Sequence, residues 1–177
     1  TRINEIVISD LLPCTLIGVI DGDTIKVVFV DPPPGIQVAE SIRLLGIDAP
    51  ELRGSTGLEP LATEAREFVI EHVADSTVYL AFESRWRGDF GRLLAYVFTR
   101  EGSLLNAELL SNGLASVYNE EPSHFHQYFV TLEVDARLET KGMWTTPMNG
   151  IIVIRQIFND GRGEYVELWN RSDQTVD

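Results

Sequence analysis

The chain reads Ser41-Ile42-Arg43-Leu44-Leu45-Gly46-Ile47-Asp48-Ala49-Pro50-Glu51 in the segment around which we expect it to fold. Its apolar run predicts a buried strand, yet Arg43 lies within it and two carboxylates end it. Charged side chains are almost never fully buried unless they are paired or bind a ligand. Pro50 has a fixed φ and favours extended geometry at the preceding residue, so both carboxylates leave a stiff corner. The segment therefore predicts a site at the end of this strand; the alternative is an ordinary strand followed by a solvated turn.

A second segment precedes it: Val19-Ile20-Asp21-Gly22-Asp23-Thr24-Ile25-Lys26-Val27. An Asp-Gly pair between two β-rich apolar runs predicts a hairpin, and it places Asp23 at the head of the outgoing strand. Most Asp-Gly turns bind nothing. Together with the first segment, however, the hairpin carboxylate, the strand-end carboxylates and an arginine are the components of a cation-assisted phosphodiester site.

The remaining pattern alternates short strands with helices. A helix is predicted to open near Pro60, a second to be capped by Ser103 and ended by Asn112-Gly113, and a third to start at Ser123 and end at Gly142. Five strands with about three helices fit the OB-fold, a five-stranded, partly open Greek-key barrel that often binds oligonucleotides. The strands are predicted over residues 15–20, 24–30, 37–47, 77–82 and 93–99.

A third motif completes the pattern: Phe90-Gly91-Arg92-Leu93-Leu94-Ala95-Tyr96-Val97. In this order, the three motifs resemble those of the staphylococcal nuclease (thermonuclease) family, and the resemblance covers roughly residues 12–144. It implies the same OB-fold. It also implies an endonuclease, a calcium-dependent hydrolase that cleaves DNA and RNA with little sequence preference and leaves 3′-phosphate ends.

The resemblance carries over to a metal site built from oxygen ligands. We expect Asp23, Asp48 and the backbone carbonyl of Ala49 to bind Ca²⁺ directly, with water and a substrate phosphate completing its shell of six to eight oxygens. Asp21 is expected to lie behind these ligands and to hold a metal-bound water.

The same resemblance implies catalytic roles for three charged residues. Glu51 is expected to orient or deprotonate the attacking water. Arg43 and Arg92 are expected to hold the phosphate, because a guanidinium donates two parallel hydrogen bonds and stays charged. The alternative is structural: Arg43 and Glu51 could form an ordinary ion pair.

The net charge of −13 opposes nucleic-acid binding, because it repels a polyphosphate. Residues 83–92, here called the connector, offer a local basic and aromatic patch against that repulsion. Asp89 and Phe90 depart from the family, in which lysine and tyrosine stand beside a terminal phosphate, so a phosphorylated end should bind more weakly. The residues predicted to contact substrate are Arg85, Arg87, Phe90 and Tyr118.

Composition places the chain among globular proteins. It is 44% hydrophobic and 23% charged over 177 residues, and its single cysteine excludes an intrachain disulfide. No apolar run approaches the roughly 20 residues of a membrane helix. Because the sequence opens abruptly at Thr1, a removed signal peptide stays an open alternative, and a secreted or cell-surface location is the favoured expectation.

We predict two parts, a nuclease-like domain at residues 1–146 and a linker with a further β segment at residues 147–177. Within the second part, Glu164-Tyr165-Val166-Glu167-Leu168-Trp169-Asn170 resembles the opening of a lamin-tail-type immunoglobulin-like domain, of which the sequence would hold only the start. That segment could provide a surface or protein partner. The alternative function for the first part is a non-catalytic OB-fold module that binds nucleic acid, against which the retained site residues argue.

Overall fold

The computed structural model describes residues 11–53, 57–73, 77–119 and 123–145, together with the backbone of residues 152–159 and 164–170. Two expectations from the sequence fall outside this description: that residues 1–10 form an edge strand or an ordered tail, and that the loop at residues 52–57, of which 54–56 are left out, is mobile. The elements in chain order are β1 (Leu12–Val19), β2 (Thr24–Val28), β3 (Ala39–Leu44), β4 (Ile47–Asp48), α1 (Ala62–His72), β5 (Thr77–Ala81), β6 (Leu93–Phe98), α2 (Leu105–Ser111), β7 (Ser116–Val117), α3 (His126–Leu138), β8 (Ile152–Asn159) and β9 (Glu164–Asn170).

Five strands close into a barrel in the order β1-β2-β3-β6-β5, which confirms the predicted OB-type fold with three helices. All neighbouring pairs are antiparallel except β3 and β6, which run parallel. Side chains alternate between the two faces of each strand. Ile25 and Ile42, which are register partners, are therefore buried inside the barrel, while Lys26 and its partner Ser41 lie on the outer face.

The predicted strand at residues 37–47 is in fact two strands separated by a turn. β3 ends at Leu44, Gly46 takes a φ of 79°, and β4 then pairs with β7 rather than continuing the barrel. A left-handed φ is readily adopted only by glycine, so Gly46 turns the chain. Consequently Asp48 leaves the barrel edge while Arg43 remains on it.

The hairpin turn between β1 and β2 is pressed against α1. A Cβ on Gly22 would lie 2.7 Å from the Cβ atoms of Ala49 and Ala65, closer than real side chains allow. Ala65 is fully buried on α1. The first helix therefore fixes the position of the acidic turn relative to the strand end that follows β4.

A buried amide ties α2 to the barrel. Asn106 accepts a hydrogen bond from the N–H of Val97 at 3.0 Å and donates one to the carbonyl of Leu45 at 2.9 Å. Its side chain is fully buried. Because Leu45 directly follows β3, this contact holds the turn that leads to Asp48.

Two predicted helix ends are wrong. Ser103 does not cap α2, because the capping residue is Leu104 and no side chain caps the helix. The backbone carbonyl of Ser103 instead accepts a hydrogen bond from the N–H of Thr99 in the preceding turn. The third helix ends at Leu138, not at Gly142, because Thr140 already takes a left-handed φ of 54°. The prediction that Gly113 ends α2 fits its φ of 65°.

Beyond residue 145, β8 and β9 form an antiparallel two-stranded sheet within the predicted β segment. Among the described residues, no helix combines the length and apolar character that a membrane crossing needs.

Candidate active site

Asp23 is the centre of the site, and its carboxylate is 1% exposed. Its Oδ1 accepts a hydrogen bond from the hydroxyl of Thr24 at 3.0 Å, and its Oδ2 accepts one from the N–H of Ala49 at 2.7 Å. Its N–H donates to Oδ1 of Asp21 at 3.2 Å, which shapes the turn, and its carbonyl accepts the N–H of Leu44. The hairpin and the end of β4 are therefore joined through one buried carboxylate.

Arg43 connects this carboxylate to the next. Its Nη1 forms an ion pair with Oδ2 of Asp23, and its Nη2 lies 2.5 Å from Oδ1 of Asp48. The Arg43 side chain is 13% exposed, whereas that of Asp48 is 52% exposed. One guanidinium thus bridges carboxylates from the hairpin and from the strand end, on the outer face of β3.

Glu51 lies near the Arg43 ion pairs and is surrounded by other carboxylates. Its N–H donates to a carboxylate oxygen of Glu59 at 2.9 Å, and its carbonyl accepts the N–H of Glu59. Burial raises the pKa of Glu51, and the charges of Asp21, Asp48 and Glu59 raise it further, while Arg43 opposes them. The cluster therefore holds more negative charge than its internal cation neutralises.

Asp21 shares this environment. Burial raises its pKa, although a hydrogen bond from Thr24 and the positive charges of Arg43 and Arg92 act in the opposite direction. A carboxylate whose pKa is shifted by burial and by neighbouring charges is typical of a functional site.

Arg92 reaches the same place from the end of the connector. Its Nη1 donates to the hydroxyl of Thr24 at 3.2 Å, and that hydroxyl in turn donates to Asp23. Within the described part of the chain, no carboxylate is in ion-pair distance of Arg92. Its guanidinium therefore has donors to offer to an anion.

The structure thus brings together all the residues predicted for catalysis and metal binding, and their roles remain predictions. Thr24 and Glu59 were missed. Thr24 carries the contact between Asp23 and Arg92, and its only sequence signal was its place after Asp23 at the head of β2. No sequence pattern indicated Glu59, because the residues between it and Glu51 show neither helical nor strand periodicity. The residues brought together are Asp21, Asp23, Arg43, Asp48, Ala49, Glu51 and Arg92.

Two arginines of the connector are engaged by protein groups. Arg87 makes a two-pronged contact with Glu40, with N–O distances of 2.7 and 3.2 Å, and donates to the carbonyls of Gly35 and Gly91. Arg85 pairs with Asp89 at 2.6 Å, with both side chains largely exposed. Their predicted contact with substrate stays a prediction, and it requires a phosphate to compete with these partners.

The two aromatic residues predicted to contact substrate differ in exposure. Phe90 is 89% exposed, although large apolar side chains are usually covered. Tyr118 is half-buried in the segment after β7, where its N–H donates to the carbonyl of Gly46 at 3.1 Å. Tyr118 therefore lies close to the turn that positions Asp48, and Phe90 lies two residues before Arg92 in the chain.

The donor chemistry of the site fits a hard divalent cation. Within the described ranges, no three acidic, histidine or cysteine side chains are arranged around a common point as a metal site. Asp23 and Asp48 nevertheless share a single cation, the Arg43 guanidinium, so both carboxylates come within reach of one positive charge. Carboxylate and carbonyl oxygens are the ligands that Ca²⁺ prefers.

Fold and site together define an OB-type barrel whose mouth combines buried carboxylates with guanidinium groups. The model of the family described as staphylococcal nuclease homologue matches residues 41–146, more than half of the chain. The chain belongs to this nuclease family.

Individual relatives agree with this membership. A thermonuclease of Staphylococcus hyicus is 31% identical over 132 residues, which cover 73% of this chain and 74% of the relative. The SPbeta prophage-derived endonuclease YokF of Bacillus subtilis (strain 168) is 33% identical over 151 residues, 83% of this chain but only 48% of the relative. Endonuclease YncB of the same strain is 32% identical over 139 residues, 76% of this chain and 63% of the relative. The family match ends at residue 146, so the likeness of residues 147–177 to a lamin-tail-type domain gains no support from it.

Proposed function

We propose that the protein is a Ca²⁺-dependent endonuclease that hydrolyses DNA and RNA with little sequence preference. The observation that carries the proposal is the convergence of Asp23, Arg43 and Asp48 in one ion-paired group, with Arg92 linked to it through Thr24. Family membership supports the reaction class.

In the proposed mechanism, Arg43 and Arg92 bind the oxygens of the scissile phosphate and stabilise the negative charge that grows on them during attack. Glu51 accepts a proton from a water molecule, whose oxygen forms a bond to phosphorus. The bond from phosphorus to the 5′ oxygen breaks, and that oxygen takes up a proton. The products are a 3′-phosphate and a 5′-hydroxyl.

Asp23, Asp48 and the carbonyl of Ala49 would hold the calcium ion, with Asp21 behind them. When bound, Ca²⁺ would supply positive charge to the phosphate and offset the repulsion among the carboxylates. Arg43 makes one carboxylate contact through each terminal nitrogen, and a guanidinium has five N–H donors, so it keeps donors for a phosphate while it pairs with Asp23 and Asp48.

The test is cleavage of single-stranded DNA and of RNA by purified protein, with added Ca²⁺ and with a chelator, followed by analysis of the new ends. We expect Ca²⁺-dependent cleavage with 3′-phosphate ends. The Glu51→Gln variant should lose a factor of about 10²–10⁴ in kcat, since it removes a general base. Glu64→Gln is the matched control, because Glu64 is exposed in the first turn of α1 and is not among the site residues named above.

Two results would contradict the proposal: no Ca²⁺-dependent cleavage by the clean protein, or equal activity of the Glu51 and Glu64 variants. Tight binding of single-stranded DNA without any cleavage would favour the non-catalytic OB-fold module instead.

For residues 147–177, the lamin-tail-like likeness and the surface or protein partner remain proposals, as does a secreted or cell-surface location. The full chain should bind a surface or protein that residues 1–146 alone do not bind. Equal binding by both would show that the segment contributes no such contact.

A further inference from the structure

The position of the Arg92 guanidinium depends on the backbone that carries it. Its Nη1 donates to the hydroxyl of Thr24 at 3.2 Å, and no carboxylate of the described residues is in ion-pair distance. A long side chain with so few contacts keeps much of its rotamer freedom. Whatever fixes the backbone at Arg92 therefore helps to decide where its donors meet a phosphate.

The backbone on either side of Arg92 is held by hydrogen bonds within the connector. The carbonyl of Arg92 accepts the N–H of Gly88 at 3.0 Å, and the carbonyl of Gly91 accepts a hydrogen bond from Nη1 of Arg87 at 2.5 Å. Gly91 takes a φ of 78°, and a glycine populates either sign of φ readily, so this peptide has little conformational preference of its own. The Arg87 side chain thus holds the peptide group that leads into Arg92.

Arg87 is in turn held by the barrel. Its guanidinium makes the two-pronged contact with Glu40 on β3, at 2.7 and 3.2 Å, and donates to the carbonyl of Gly35 at 3.1 Å. Glu40 pairs in register with Val27, which is fully buried, so its side chain lies on the inner side of the sheet and is only 6% exposed. A carboxylate buried to that degree needs a partner. The contact between Glu40 and Arg87 is therefore a firm anchor for the end of the connector.

The same strand carries the other arginine of the proposed phosphate site. Arg43 and Glu40 both lie on β3, so the series of contacts from Glu40 through Arg87 to the Gly91 carbonyl ties Arg92 to the strand that holds Arg43. Two guanidinium groups that bind one phosphate must keep a fixed separation, and a strand within a closed barrel is a rigid reference for it.

We propose that Arg87 is a positioning residue for Arg92: held by Glu40, it fixes the Gly91 carbonyl and so keeps the Arg92 guanidinium where it meets the scissile phosphate. This inference rests on the proposed function for the role of Arg92. It differs from the substrate contact predicted for Arg87 from the sequence, because the Arg87 donors stay on protein acceptors throughout.

The test is a double-mutant cycle between Arg87 and Arg92, read as kcat for single-stranded DNA at saturating Ca²⁺ with the full chain. Arg87→Ala should lower kcat by about 10- to 100-fold, the effect expected when a catalytic group moves by about 1 Å. In an Arg92→Ala background the same substitution should change kcat by less than about twofold, because the group that it positions is gone. Arg100→Ala removes an exposed arginine after β6 and should match the parent in both backgrounds.

A second variant guards against a general loss of stability. Arg87→Ala leaves the buried Glu40 carboxylate without its cation, whereas the double variant Arg87→Ala/Glu40→Gln leaves no charge unpaired there. Both should lose kcat to the same degree, and urea unfolding shows that each is folded under the assay conditions. Recovery of the parent kcat in the double variant would contradict the positioning role.

A binding cycle gives a readout that does not need cleavage. In a Glu51→Gln background with Ca²⁺, Arg87→Ala should weaken binding of a fluorescent single-stranded oligonucleotide when Arg92 is present, and change it by less than about twofold when residue 92 is alanine. If Arg87 itself contacted a phosphate, Arg87→Ala would lower the salt dependence of binding by about one counterion in both backgrounds.

Equal losses with and without Arg92, in kcat or in affinity, would overturn the proposal, and so would the absence of any loss while Arg92 is present. Failure of the nuclease proposal is distinguishable from either result. The parent chain would then cleave nothing, while the binding cycle would still show whether Arg87 acts through Arg92.

Discussion

The acidic group around Asp23 and the connector at residues 83–92 both contain arginines but use them differently. Arg43 joins two carboxylates from different elements and is 13% exposed. Arg85 pairs within the connector itself, with its side chain 50% exposed. The density of arginine in a segment therefore does not tell how many guanidinium groups stay available to a phosphate. What matters is which guanidinium groups have donors to spare after folding.

By that criterion Arg92 is the exception in the connector. It has one contact with an uncharged hydroxyl, that of Thr24, and no ion pair among the described residues. Arg87 donates to one carboxylate and two carbonyls. The connector thus leaves the Arg92 guanidinium available beside the acidic group around Asp23, whereas Arg87 is paired with Glu40.

The largest effect should come from comparing Arg92→Ala with Arg85→Ala. We expect Arg92→Ala to lower kcat by about 10²–10³, since it removes a donor to the charge that develops in the transition state. Arg85→Ala should lower kcat by less than about tenfold, because the Arg85 guanidinium is already paired with Asp89 and exposed pairs are weak. Cleavage of single-stranded DNA under saturating Ca²⁺ measures both.

Arg92→Lys is the matched variant for this comparison. A lysine keeps the charge but loses the planar pair of donors, so most of the loss should remain. Equal losses in the Arg85 and Arg92 variants would show that the connector arginines act together as a diffuse patch.

Sequence alone could predict the acidic half of the site because its parts lie on consecutive strands. A tight Asp-Gly hairpin must return β2 beside β1, and β3 follows as its neighbour, so Asp23 and Arg43 come together by short-range geometry. The restricted backbone at Pro50 then indicated that Asp48 and Glu51 lie at the same end of the sheet as Asp23. The barrel itself followed from strand alternation and from the three motifs.

The remaining contacts join residues that are distant in sequence and come together only in the folded barrel. Arg92 reaches Thr24 because β6 pairs in parallel with β3, a pairing between strands that are distant in sequence. Arg87 and Glu40 lie 47 residues apart. No local pattern encodes such pairs, so Arg92 was singled out only by the resemblance of the third motif, and nothing in the sequence indicated that Arg87 pairs with Glu40.

Asn106 tests whether the acidic half depends on support from α2. Asn106→Leu should lower the free energy of unfolding by about 2–3 kcal/mol, because it leaves the N–H of Val97 and the carbonyl of Leu45 buried without partners. Urea denaturation provides the measurement. The control is Asn112→Ala, whose exposed amide contacts one helix carbonyl and should cost only about 0.5 kcal/mol. A loss no larger than in this control would show that the turn after β3 does not need the amide.

The Arg87 and Glu40 pair makes a smaller and pH-dependent contribution on the connector side. Burial acts to raise the pKa of Glu40, but hydrogen bonds from Arg87 and from the N–H of Gln37 outweigh it and hold the pKa below 4.5. A carboxylate with a lowered pKa stabilises the fold at pH values above its ordinary pKa, and that stabilisation is lost as the pH falls through the folded-state pKa.

Glu40→Gln should therefore be less stable than the parent by about 1 kcal/mol at neutral pH. The difference should shrink as the pH falls below 4.5. Urea unfolding over a series of pH values measures it. Glu64→Gln, from the exposed face of α1, is the control and should match the stability of the parent at neutral pH. A difference that stays constant with pH would show that packing, rather than the ion pair, holds Glu40.

The smallest effect should come from releasing Arg85. Asp89→Asn removes the carboxylate that occupies this guanidinium, so affinity for single-stranded DNA should rise by about two- to fivefold at low salt and return to the parent value at high salt. Asp135→Asn makes the same change in net charge at an exposed position on α3. If affinity rises equally in both variants, the overall charge of −13 sets it, and the local pairing of connector arginines does not limit binding. A rise confined to Asp89→Asn would show that the connector's own carboxylate restrains its phosphate contacts.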